Sequence, residues 1–330
     1  MKKFFYLFCM VVGSLWLLFF PPQVAANSTA FTVRTPMPSN SYHNKANSLN
    51  ILLQKNQKQT INVTIRNLTN DKQTLSVAPR TGYTNNLARI AYNLNDVSKK
   101  TNPTIKLGEV LTGPKTITLL PSQTKIVKYY ITMPNKNYQG ILIGALYFQN
   151  IKTADKKNAA DKIHKVTLRI NVRNQKSKAT TANLSVKNTT LTVNHSKNDS
   201  PAIKLTLQNV TVEKLSGATL TTSLSQNGNV LYQQTRKNRT IAPKSTFDYF
   251  LNLNNQKVKP GNYQLEFKVI TKNRTWRYST PLKISKTQAT KINQTATIQN
   301  NDNLLWKLSL MAIIIIIFLT YYRPYRRTQR

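Results

Sequence analysis

Apolar and polar residues alternate with a period of two over much of this chain, and that pattern constrains its fold more than any other feature. Gln59-Thr-Ile-Asn-Val-Thr-Ile-Arg66 puts its apolar side chains on one face of an extended strand and its polar ones on the other, the signature of a half-buried β-strand. Asn67-Leu-Thr-Asn-Asp71 supplies turn residues, and the alternation resumes from Gln73 to Ala78. Phe31 to Val33 reads as a short first strand before a polar, Pro-broken segment from Thr35 to Asn50. Ile117 to Leu120, Lys125 to Met133, Gly140 to Asn150 and Val166 to Val172 follow as strands.

After a charged, apolar-poor stretch from Arg173 to Lys178, the same grammar returns. Ile203 to Gln208 ends in Asn209-Val-Thr211 as the earlier strand ends in Asn67-Leu-Thr69. Pro243-Lys-Ser245 precedes Phe247 to Leu253 as Pro121-Ser-Gln123 precedes Lys125 to Met133, and Gly261 opens a strand as Gly140 does. Two copies of one immunoglobulin-like sandwich plan, each of about seven strands, are expected. The corners at 67 and 209 lie about 20 residues farther apart than the Pro-started strands at 121 and 243. The first unit therefore carries an insertion within Thr81 to Gly113. Long loops on a rigid sheet scaffold are where binding often sits; drift without function is the other reading.

Both ends are apolar. Lys2 and Lys3 precede Phe4 to Phe20, then Pro21-Pro22 and Val24-Ala25-Ala26, a signal-peptide pattern with cleavage expected after Ala26. An uncleaved anchor is the alternative. Leu304 to Tyr322 supplies about the 20 apolar residues that a bilayer-crossing helix needs, flanked by Trp306, Tyr321 and Tyr322 and followed by Arg323, Arg326, Arg327 and Arg330. The positive-inside tendency puts that tail in the cytoplasm; a buried core helix is the alternative. The expected organisation is a signal peptide at 1–26, a first sandwich at 27–173, a linker at 174–178, a second sandwich at 179–285, a flexible stalk at 286–303, a transmembrane helix at 304–322 and a basic tail at 323–330. The bulk of the chain is then outside a single-pass type I membrane anchor.

The formal charge is +38, from 48 Lys and Arg against 10 Asp and Glu. Such an excess favours a polyanionic partner. Nucleic acid is not expected, because an exported chain would not meet it. Teichoic acids, anionic lipid heads or acidic glycans are the candidates, with simple solubility as the alternative. The one cysteine, Cys9, falls in the expected signal peptide, which removes disulfides and thiol chemistry from the exported part.

No catalytic pattern emerges. His43, His164 and His195 lie far apart with no carboxylate or cysteine at ligand spacing, and no hydrolase elbow or phosphate-cradling glycine loop occurs. Neither an enzyme, a metal nor a cofactor is expected. Tyr83 and Tyr92 in the insertion could stack on sugar rings while Asn85, Asn86 and Arg89 bond hydroxyls or a peptide carboxylate; alternatively Tyr92 plugs the sheet edge. Trp276 and Tyr278 alternate on a late strand, with Arg274 and Arg277 expected on the opposite face, either as an exposed protein-binding face or with the Trp in the core.

Asn56-Gln-Lys-Gln-Thr-Ile-Asn-Val-Thr-Ile-Arg-Asn-Leu-Thr69 resembles the opening of the peptidoglycan-binding domain of the WxL-interacting proteins of Gram-positive bacteria. Tyr138-Gln-Gly-Ile-Leu-Ile-Gly-Ala-Leu-Tyr-Phe148 resembles that family's glycine-bearing strand, with Ala145 a mild departure. Asn183-Leu-Ser to Ile284 resembles its second domain, including Leu231-Tyr-Gln-Gln and Lys259-Pro-Gly-Asn-Tyr263. The resemblance implies a first domain that contacts peptidoglycan and a second that engages a WxL-domain surface protein or a host extracellular-matrix protein, with Tyr232, Arg274, Trp276 and Tyr278 as candidate partner contacts. An assembly chaperone acting by strand addition and a cationic teichoic-acid binder are the competing functions.

Overall fold

The computed structural model describes residues 30–42, 48–151, 163–174, 183–298 and 313–316. The expected signal peptide, His43, and all but residues 313–316 of the expected transmembrane helix lie outside them. No helix among the described residues is long and apolar enough to cross a membrane.

Two antiparallel-dominated sandwiches account for the strands. In the first, β1 (Phe31–Arg34), β3 (Lys58–Asn67), β9 (Thr124–Thr132) and β7 (Leu111–Thr112) form one sheet in the order β1-β3-β9-β7. The facing sheet has the order β2-β11-β10-β4-β8, from β2 (Ser48–Leu52), β11 (Lys165–Arg173), β10 (Ile141–Asn150), β4 (Gln73–Thr81) and β8 (Thr116–Leu119). The second sandwich sets β12 (Leu184–Asn194), β13 (Ser200–Asn209) and β16 (Thr246–Asn252) against β15 (Asn229–Ile241), β14 (Leu215–Gln226), β17 (Gly261–Ile270) and β18 (Thr275–Ile284). Orders β1-β3-β9 and β12-β13-β16 correspond, as do β8-β4-β10-β11 and β15-β14-β17-β18. The same plan is used twice.

The corner motif explains part of that repetition. Asn67 and Asn209 are both buried. Asn67 Nδ2 donates to the carbonyls of Asp71 and Leu120 at 2.7 and 2.8 Å, and its Oδ1 accepts from the N–H and hydroxyl of Thr69. Asn209 does the same to the carbonyls of Glu213 and Ala242 at 2.8 and 3.0 Å, accepting from the N–H and hydroxyl of Thr211. Each amide satisfies backbone groups that would otherwise be buried without partners.

Four elements depart from the sequence reading. β2 straddles the end of the segment expected to be polar and Pro-broken, starting at Ser48 within it and pairing in parallel with β11 from Arg169↔Ser48 to Arg173↔Leu52. Its five residues are too few to show a period. The strand expected to stop at Val172 takes in the first residue of the charged stretch: Arg173 ends β11, opposite Ile141. The expected flexible stalk begins as the helix Lys286–Thr295, closed by a reciprocal capping box between Ser285 and Gln288. It buries Ala289 and packs Ile292 on the second core, while Asn293 bonds both the N–H and the carbonyl of Val258.

The fourth departure concerns the insertion between β4 and β8. It forms the two-stranded β5 (Tyr83–Thr84) and β6 (Ile90–Ala91) and a helical turn, Leu107–Val110, before β7. Leu107 enters the first core beside Gly144, where a Cβ would lie 2.9 Å from the Leu107 side chain. The hairpin lies on the outer face of β10, forming a small third core of Tyr92, Ile141, Ile143, Ala145 and Ala242, with Ile90 packed against it. Consequently β10 is covered on both faces over most of its length. That is why Ile141-Leu-Ile-Gly-Ala-Leu-Tyr-Phe148 is apolar at both parities, as strands buried on both faces are.

Candidate functional site

The insertion is bonded to the second sandwich and is not a free loop. Thr84 N–H donates to Ser245 Oγ at 3.0 Å, and Ala242 N–H donates to Thr84 Oγ1 at 2.9 Å. Thr101 Oγ1 donates to the carbonyls of Pro243 and Lys244, and Thr240 N–H to the carbonyl of Ala88. Ala88 itself belongs to the second core. On the opposite side of the junction, Gly140 takes φ +72, and a Cβ there would lie 2.2 Å from the Val212 carbonyl oxygen, which accepts from Ile141 N–H. Arg173 and Glu213 complete the junction; the hydrogen bonds that Arg173 donates to the Glu213 carboxylate lead the effects that hold the guanidinium above its ordinary value.

These contacts decide where the sequence-predicted residues fall. Tyr83 and Tyr92 are only 6% and 9% exposed, so neither ring offers a face to a sugar. The Tyr83 hydroxyl donates to Asn93 Oδ1 at 2.7 Å. Burial raises the Tyr92 phenol well above its ordinary value, against the opposing charge of Arg169. Asn85 holds the hairpin turn, accepting from the N–H groups of Leu87 and Arg89. Asn86 is half-buried and Arg89 exposed.

In the second unit, Tyr232, Trp276 and Tyr278 are half-buried and pack on the core from the edge strands β15 and β18. The Tyr232 hydroxyl donates to Gln256 Oε1, and Trp276 Nε1 donates to Asn183 Oδ1. Arg274 is not opposite Trp276 as expected: its guanidinium lies 5.0 Å from the indole centre, on the same side, as a two-residue period requires of positions 274 and 276.

Two exposed features were missed. On the solvent face of the β1-β3-β9-β7 sheet, Ile126 and Tyr130 are 67% and 44% exposed. Register places Tyr130 opposite Thr60, Lys128 opposite Asn62 and Ile126 opposite Thr64. Apolar residues at both parities of Lys125 to Met133 were the available signal. The second feature is a cleft on the outer face of the other sheet. One part, about 1010 Å³, lies between β1, β11 and the hairpin; another, about 710 Å³, lies at the domain junction. Ser48, Ile90, Tyr92 and Arg169 line both. Among the described residues no group of three or more His, Cys, Asp or Glu is placed to hold a metal.

Residues 31–150 match the peptidoglycan binding domain of the WxL Interacting Protein, and residues 157–294 match its host binding domain. The chain belongs to the WxL-interacting proteins. Both matched domains are binding domains. The sheets divide the chain later than the matches do, because β11 completes the first sandwich although it falls within the second match. No match is found among curated proteins. Similar solved structures include the class 5 fimbrial chaperone CfaA, 14% identical over 76% of this chain and 100% of its own, with a TM-score of 0.32. The E. coli chaperone DraB is 14% identical over 77% and 97%, with a TM-score of 0.30. A PapD-like domain of human CEP192 is 10% identical over 48% and 94%, with a TM-score of 0.31.

Proposed function

We propose that this WxL-interacting protein is a membrane-tethered, non-enzymatic scaffold of the Gram-positive envelope. Its first sandwich rests on peptidoglycan, and its second presents a surface to a WxL-domain protein or a host matrix protein. The observation that carries this reading is the pair of domain matches, in that order, on two sandwiches joined by the insertion and by the Arg173–Glu213 pair. The apolar run at 304–322, with its arginine tail, supports the tether.

Within the first unit, the Tyr130 face is the surface we assign to peptidoglycan. Its ring is open, and Thr60, Asn62 and Lys128 around it can bond hydroxyl, amide and carboxylate groups. In the second unit, Trp276 with its stacked Arg274 is the partner anchor, in keeping with the weight that Trp and Arg carry at interfaces. A strand-addition chaperone is the second reading, favoured by the long edge strand β15 with Val230 and Leu231 exposed.

Co-sedimentation of the full-length chain in detergent with teichoic-acid-free peptidoglycan, at low and high salt, tests the first half of the proposal. Salt-resistant sedimentation that Tyr130→Ala reduces supports it. Binding only at low salt, unaffected by Tyr130→Ala, contradicts it. A stable ternary complex with a WxL-domain protein separates the scaffold from a chaperone, which would be absent from the finished assembly.

A further inference from the structure

Among the described residues, the charged side chains that line the cleft are all basic. Arg34 and Lys165 line its β1–β11 part, Arg89 and Lys214 its junction part, and Arg169 both. Among the described residues no Asp or Glu lines either part. Arg34, Arg89 and Lys165 form no ion pair among the described residues. A further arginine stands beside the junction: the Ala88 carbonyl accepts from Thr240 N–H, so Arg89 and Arg239 flank one backbone hydrogen bond. Burial, then the charges of Arg89 and Arg236, hold the Arg239 guanidinium below its ordinary value. Like charges near one another repel, and an arriving anion relieves that repulsion.

The uncharged lining narrows the ligand. Ser216, Asn238 and Thr240 offer hydroxyls and an amide to the junction part, while Asn50 and Asn171 are bonded to each other beneath it. Aromatic stacking is closed off: Tyr92 is buried, and Tyr147 carries the Arg80 guanidinium 6.0 Å from its ring centre. The cleft therefore suits a ligand read by charge and hydrogen bonds, not by sugar faces. A cross-linked peptide mesh presents ammonium groups as well as carboxylates, and the described lining has no acid to receive them. A polymer alternating anions with hydroxyl groups fits the spaced cations and the polar side chains between them, with arginine forks matched to phosphate oxygens.

We infer that this cleft, assembled from both sandwiches, is a binding site for a linear phosphodiester-linked polyol chain. It is separate from the Tyr130 face and does not depend on the peptidoglycan reading.

The test is titration of the full-length chain in detergent with fluorescent poly(glycerol phosphate) at 0.15 M salt. Polyglutamate of equal charge and inorganic phosphate serve as competitors. The triple variant Arg34→Gln, Lys165→Gln, Arg89→Gln is compared with Lys187→Gln, Lys237→Gln, Lys283→Gln, which removes as much charge from the second sandwich. The expected result is at least tenfold weaker binding for the cleft triple, less than threefold for the control triple, and poor competition by polyglutamate and inorganic phosphate. Arg89→Glu alone, on an exposed turn, is expected to weaken binding at least threefold if the cleft triple fails to fold. Equal losses in both triples, equal competition by polyglutamate, or no binding by the unmodified chain would each overturn the inference.

Discussion

Arg173 and Glu213 meet across the junction of the sandwiches as a two-pronged ion pair, with Nη1 to Oε1 at 2.7 Å and Nη2 to Oε2 at 2.6 Å. Arg173 ends the last strand of the first unit, and Glu213 gives its carbonyl to Asn209 in the corner of the second. The pair thus ties one unit's final strand to the other's first corner. Removing one partner leaves the other charge partly buried. Glu213→Ala is expected to cost about 2 kcal/mol, less than the roughly 3–5 kcal/mol of a fully enclosed pair because the Arg173 side chain keeps some contact with water. Urea denaturation of the full-length chain reads this, and a cost below about 0.5 kcal/mol would contradict the role.

The two corner asparagines are expected to behave alike. Asn209→Ala strands the carbonyls of Glu213 and Ala242 and the N–H of Thr211, a loss of about 2–4 kcal/mol. Asn67→Ala should cost a similar amount in the first unit. Urea midpoints for both variants check the pair; a large effect at one corner and none at the other would break the equivalence.

Gly140 joins two demands that no other residue meets: φ +72 and a backbone carbonyl 2.2 Å from where a Cβ would stand. Gly140→Ala is therefore expected to push Val212 away and loosen the junction, at a cost of at least about 1 kcal/mol. Calorimetry should show the two sandwiches melting in more separated steps. An unchanged, single transition would argue against a tight junction.

Thr84 and Ser245 offer a direct measure of what the insertion does. Ser245→Ala leaves the buried Thr84 N–H without its acceptor, and Thr84→Val leaves Ala242 N–H without one. Each single change is expected to cost about 1–3 kcal/mol. Because both hydrogen bonds cross one short contact, a double-mutant cycle should return a coupling of about 0.5–2 kcal/mol. Zero coupling would show that the hairpin merely rests on the second unit.

Much of this fold is written locally. The Asn-x-Thr corners, the Pro-started strands and the glycine-led strands announce a doubled sandwich because each motif has a backbone duty that its own sequence states. The destination of the insertion is not written that way. Tyr83 and Tyr92 look like candidate sugar platforms until Ile141, Ile143 and Ala145 are seen to require a cover. That requirement was visible in β10, whose apolar residues occupy both parities, but nothing local says which segment supplies the cover. Ser285 and Gln288 held a capping box in a stretch too poor in apolar residues to suggest a packed helix; the contacts of Ala289 and Asn293 come from the second sandwich, not from the helix's own pattern. The cationic cleft combines residues from β1, β2, β11, the hairpin and β15, and its junction part exists only once the two units are joined.

The measurement that goes most directly to the central claim is hydroxyl-radical footprinting of the full-length chain, with and without peptidoglycan stripped of phosphodiester polymers. Tyr130 and Ile126 are open on the first sandwich, Val230 and Leu231 on the second. Peptidoglycan is expected to protect Tyr130 and Ile126 from oxidation and to leave Val230 and Leu231 unchanged. Protection of Val230 and Leu231 with Tyr130 and Ile126 still reactive would contradict the assignment of the first sandwich to the wall.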